Sequence, residues 1–114
     1  MSELVVRTCV PCHGGAPQAT PEEVARYRSQ VPDWEVVEED GVAKLRRAFD
    51  FPDFASALAF TDAVGAEAEA QGHHPVLVTT WGKVTVSWWT HAIGGLHEND
   101  FIMAARTDAL FDER

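Results

Sequence analysis

A chain of 114 residues with nine Lys and Arg against eighteen Asp and Glu has a formal net charge of −9 and an apolar fraction of 46%. That length fits one domain with a modest core, and the acidic balance argues against nucleic acid as a direct partner, since phosphate binding needs a basic face. No apolar run approaches the roughly 18 residues of a membrane helix, and the start, Met1-Ser2-Glu3-Leu4-Val5-Val6, lacks the basic-then-apolar profile of a secretory signal, so a cytoplasmic location is expected.

Residues 1–19 read as a flexible arm ahead of a domain over residues 20–114. The arm holds Cys9-Val10-Pro11-Cys12-His13, which matches the pattern of covalent haem attachment, although that chemistry needs export. A zinc half-site would need ligands from elsewhere. A redox pair would be expected beside a βαβ unit rather than before Gly14-Gly15-Ala16-Pro17. A plain arm is preferred, then metal, then haem.

Thr20-Pro21-Glu22-Glu23 is a helix start: Thr20 caps, Pro21 suits the first position and Glu23 closes a capping box. This helix is predicted to reach about Gln30, burying Val24 and Tyr27, before Pro32 ends it. Two β-rich runs, Trp34–Glu39 and Val42–Phe49, flank Asp40-Gly41, a strong hairpin signal. Pro52 is predicted to open a long helix to Gln71 with a stripe of Phe51, Phe54, Leu58, Thr61, Val64 and Ala68, widened by Phe60. A second hairpin turns at Trp81-Gly82 between Val76–Thr80 and Lys83–Thr90. A last helix from near Glu98 carries Phe101, Ala104, Ala105 and Phe111, flanked by Ile102 and Ala109. The order α-β-β-α-β-β-α predicts an α+β fold: a single four-stranded antiparallel sheet with helices packed on one face.

The run Glu69 to Asp100 is where chemistry-bearing residues gather. Gly72 stops the long helix, and Pro75 forces His74 into an extended shape. With Trp81-Gly82 as a two-residue loop, Thr80 faces Lys83 and, counting outwards, His74 faces Trp89. His91 then lies diagonally from His74 on one sheet face, roughly 7–8 Å away. Glu69, His73 and His91 thus collect at the open end of the hairpin. Trp89, on the face away from Val84, Val86 and Trp88, is a large apolar group that a subunit contact would cover.

The spacing of Glu69, His73-His74-Pro75, Trp81, His91 and Asp100 resembles the signature of the pterin-4a-carbinolamine dehydratases. Trp34, Leu45-Arg46-Arg47, Phe49, Phe51, Phe54, Ala57, Phe60, Lys83-Val84, Thr90-His91 and Gly94-Gly95-Leu96 also sit where that family has similar residues, so the likeness runs from about Thr20 to Asp112. It implies loss of water from a 4a-hydroxytetrahydropterin to give the quinonoid dihydropterin, in tetrahydrobiopterin recycling, with no metal and no organic cofactor. Histidine suits such proton traffic because its reference pKa near 6.5 leaves both forms available near neutrality. By resemblance, His73 and His91 move protons with Glu69 orienting or stabilising an imidazole, while His74, Trp81 and Asp100 meet the substrate. The partners so implied are a small-molecule pterin and further copies of this chain as a homodimer or homotetramer, with no membrane.

The chain departs from the family pattern at Val76 and Ala92, where acidic residues are common, and at Trp88-Trp89. It also departs at His97, where Thr or Ser often caps the last helix, so that start is expected to be weaker. The rival class is a non-catalytic oligomeric binding or assembly module of the same fold. A metal site of His73, His74 and His91 is disfavoured because adjacent residues in an extended chain point to opposite sides.

Overall fold

The computed structural model describes Leu4 and residues 18–113; the Cys9–His13 motif lies outside them. The elements are α1 (Pro21–Arg28), β1 (Glu35–Glu39), β2 (Val42–Asp50), α2 (Phe54–Gln71), β3 (Val76–Thr80), β4 (Lys83–Trp88), a short 3-10 turn (His91–Ile93) and α3 (Glu98–Asp112). No described helix is long and apolar enough to cross a membrane.

Both hairpins close as the sequence predicts. Asp40 and Gly41 take φ of 54° and 77°, the left-handed pair that a tight two-residue turn requires, and Glu39 faces Val42. Across Trp81-Gly82, Thr80 faces Lys83. β2 pairs with β4, so the antiparallel sheet runs β1-β2-β4-β3 with β1 and β3 at its edges. Leu45, Phe49, Val84, Val86 and Trp88 point to one face and are buried beneath Phe60 and Val64 of α2 and Phe101 and Met103 of α3. α1 packs on α3, with Tyr27 and Phe101 rings 5.4 Å apart.

Local expectations for all three helices need correction. α1 ends at Arg28, not Gln30, because the Gln30 and Val31 amides bond back three residues, to the Tyr27 and Arg28 carbonyls, as a tight closing turn. α2 starts after Asp53, whose carboxylate accepts from the Ser56 N–H. Its inner stripe is Ala57, Phe60, Val64 and Ala68, while Phe54 and Leu58 are 46% and 44% exposed. The expected stripe began at Phe51, which precedes the helix; it holds at Val64 and Ala68 but placed Phe54 and Leu58 inward where Ala57 and Phe60 are buried. In α3, Met103 was missed and is fully buried with Phe101 to Ala105.

The segment expected to be a flexible arm contributes to this architecture at its described residues. Leu4 is fully buried in the core. The Gln18 side-chain amide donates to the Ile93 carbonyl and the Ala19 N–H to the Leu96 carbonyl. Residues 18–19 therefore strap the loop between the 3-10 turn and α3.

Candidate active site

α2 ends in Gly72 at φ 65°, the left-handed stop that lets the His73 N–H reach back to the Ala68 carbonyl at 3.1 Å. This fixes the backbone of His73 where α2 turns towards β3. Its ring is 8% exposed and lies parallel to the Trp88 indole, with centroids 5.8 Å apart and planes at 8°. Trp88 cannot shift, because its Nε1–H donates to Thr107 Oγ1, which in turn donates to the Met103 carbonyl.

His73 Nε2 lies 2.6 Å from Asp100 Oδ1. Asp100 is completely buried, and its other oxygen accepts from Thr90 Oγ1 and from the His97 N–H, both at 2.9 Å. Three donors converge on one carboxylate, which is how a buried Asp is made tolerable. A carboxylate so surrounded acts as acceptor, so His73 donates through Nε2–H and keeps Nδ1 as its other proton-carrying position. The expectation that Asp100 meets the substrate does not fit a side chain with no exposed surface. Asp100 instead orients His73 from behind.

His97 also behaves differently from expectation. Its Nδ1 accepts from the Asn99 N–H at 3.1 Å, so an imidazole performs the capping usually left to Ser or Thr. Together with the Asp100 carboxylate on the His97 N–H, the cap is complete rather than weak.

Glu69 pairs with His74 at 2.7 Å, not with His73. Both side chains are largely exposed, at 79% and 62%, so this contact orients more than it stabilises. His91 is placed otherwise than the extrapolated register implied. Pairing of β3 with β4 stops at Val76 and Ser87. Thr90 then bridges to Gly95, and His91 opens the 3-10 turn. A loop closed on itself cannot continue the hairpin, so His74 and Trp89 are not strand partners. His91 is exposed, and its ring lies on Trp89, centroids 4.3 Å apart. Trp89 is half-buried against its own chain.

Trp81, 71% exposed, sits at the far end of β3, five strand residues or about 17 Å from the histidines. Among the described residues no three His, Cys, Asp or Glu side chains are grouped to hold a metal ion, so His73, His74 and His91 do not converge as ligands. An apolar cleft of about 800 Å³ lies elsewhere, between the first half of α2 and the end of α3.

The candidate site, then, is a buried carboxylate–imidazole pair on a helix-covered four-stranded sheet, with exposed His74 next in the chain to His73 and exposed His91 next to Thr90, which shares the carboxylate. Residues 17–110 match the family model for pterin 4 alpha carbinolamine dehydratase, and the chain belongs to that family. A Chlorobium limicola protein bearing the provisional name pterin-4-alpha-carbinolamine dehydratase is 61% identical, over 98% of this chain and 99% of its own. A Syntrophotalea carbinolica protein of the same provisional name is 58% identical, over 98% and 100%. Among solved structures, a transcriptional coactivator/pterin dehydratase from Brucella melitensis is similar with a TM-score of 0.75 and 30% identity, over 82% of this chain and 98% of that one. A pterin dehydratase-like protein described as a RuBisCO assembly factor in the alpha-carboxysome is similar with a TM-score of 0.58 and 29% identity, over 68% and 88%.

Because Asp100 serves three donors, Asp100→Ala should leave at least two of them buried and unpaired. The expected cost is about 3 kcal/mol or more, read from the urea unfolding midpoint; a loss below about 1 kcal/mol would contradict the hub assigned to this carboxylate.

Proposed function

We propose that this chain is a dehydratase that converts a 4a-hydroxytetrahydropterin to the quinonoid dihydropterin by histidine acid/base catalysis, serving tetrahydrobiopterin recycling. The observation that carries this reading is the buried His73–Asp100 pair beside exposed His74 and His91 in a chain of this family. The C4a–O bond breaks as the hydroxyl takes a proton and leaves as water, while N5 gives up its proton and a C4a=N5 bond forms. His73 takes the N5 proton at Nδ1, because Asp100 stands ready to stabilise the imidazolium. His91 protonates the leaving hydroxyl and is recharged from solvent. His74, steadied by Glu69, binds the pterin. The step needs neither a metal nor an organic cofactor.

The assembly-factor neighbour shows that a similar fold can serve a binding role. What favours catalysis here is that His73, His74 and His91 are all present and that a buried partner holds one of them in a single orientation.

A second copy of the chain completes this reading. β1 carries Glu35, Glu38 and Glu39 along its edge, which repel a like strand, whereas β3 is uncharged, with Val76 and Val78 43% and 52% exposed. Two β3 edges paired antiparallel about a two-fold axis would cover these valines. The same pairing brings Trp81 of one subunit to the histidine end of its neighbour's β3, where it could meet the pterin.

Two results are expected. His73→Ala and His91→Ala should each lower kcat by about 10², near the lower end for loss of one acid or base, while His74→Ala should mainly raise KM. Steady-state kinetics of the three variants would refute these roles if all lost binding equally with kcat unchanged. In solution at micromolar concentration the mass should be that of a dimer or tetramer, falling to a monomer in Val78→Lys; a monomeric unmodified chain would contradict the shared edge.

A further inference from the structure

Of the four described histidines, three have a ring nitrogen engaged: His73 with Asp100, His74 with Glu69 and His97 with the Asn99 amide. His91 differs. Among the described residues its imidazole makes no hydrogen bond or ion pair, although it stands exposed on the 3-10 turn. Its ring lies instead on the Trp89 indole, centroids 4.3 Å apart with planes at 34°, within the tilted and offset geometries that aromatic rings prefer.

Trp89 is itself anchored. It stands one step past the last β2–β4 pair, Leu45 with Trp88, and so beside Lys44. The Lys44 ammonium lies 4.2 Å from the indole centroid, a cation–π contact. Lys44 is held by Glu39 at 3.2 Å, and Glu39 also holds Arg46, whose Nε–H donates to Ser87. Hydrogen bonds from Arg46 and Lys44 pull the Glu39 carboxyl down to about 2, so this anchor stays charged throughout the neutral range. The indole is thus fixed on three strands, and the imidazole rests on the indole.

Building on the dehydratase reading, we propose that Trp89 is the positioning residue of His91, holding its imidazole by a close, tilted ring contact where Asp100 holds His73 by a hydrogen bond. The difference has a chemical consequence. A hydrogen bond commits one imidazole nitrogen, whereas a ring contact leaves both free to deliver a proton to the substrate and regain one from water. An exposed histidine without such a support samples several rotamers, and a misplacement of about 1 Å can cost up to about 10² in rate.

The test uses the purified full-length chain and dehydration of a 4a-hydroxytetrahydropterin generated in situ. Trp89→Leu, which keeps apolar bulk without the aromatic face, should lower kcat roughly tenfold with KM within about twofold. Trp89→Phe should retain most of kcat. Trp89→Leu should cause no further loss in a His91→Ala background, because it acts through His91. A loss that persists in that background, or one that falls on KM, overturns the proposal. Thermal unfolding checks that each variant is folded. An activity-independent readout separates this proposal from the reading it builds on: the His91 ring protons should be shifted upfield by the indole in nuclear magnetic resonance spectra, and the shift should vanish in Trp89→Leu. Absence of the shift in the unmodified chain refutes the ring contact. A clear shift in a chain without dehydratase activity refutes the dehydratase reading and, with it, the catalytic purpose given to the ring contact.

Discussion

One buried carboxylate holds the functional end of this molecule together. Asp100 has no exposed surface, and stripping water from a carboxylate is costly unless donors replace it. The three replacements come from three separate places in the chain: His73 just past α2, Thr90 just past β4 and the His97 amide at the start of α3. Satisfying the carboxylate therefore fixes those three junctions relative to one another. The Glu69–His74 pair, of similar length but largely exposed, cannot do the same, since water competes for both partners.

This division gives the site a rigid half and an accessible half. His73 is fixed by a backbone bond to Ala68, by the parallel indole of Trp88 and by Asp100. His74 and His91 remain open to solvent, where a substrate can arrive and protons can be exchanged. Under the proposed reaction, one histidine held in a single orientation and others open to solvent is an arrangement suited to moving two protons.

Much of the fold was legible because its signals are local. Thr20-Pro21-Glu22-Glu23 encodes its own cap, Asp40-Gly41 its own left-handed turn, and Trp81-Gly82 the register of the second hairpin. The expected α2 stripe holds at Val64 and Ala68 but not at Phe54 and Leu58, which face outwards, while Ala57 contributes little to an apolar count yet is fully buried. The pairing of the candidate site's side chains was not legible in the sequence. Glu69 stands four residues before His73 and five before His74, and only the turn at Gly72 decides that it meets His74. The burial of Asp100 had no local signal, since an acidic residue in a first helical turn is usually solvated. The Trp89–His91 contact depends on β4 ending at Trp88 and on the Thr90–Gly95 bridge, neither of which is written in the residue pattern.

The most direct measurement is the absorbance change as a 4a-hydroxytetrahydropterin, generated in situ, loses water with and without the purified chain dialysed against chelator. The account predicts dehydration well above the spontaneous rate without added metal, proportional to protein concentration. A rate equal to the spontaneous one, or one lost on chelation and restored by zinc, would contradict it.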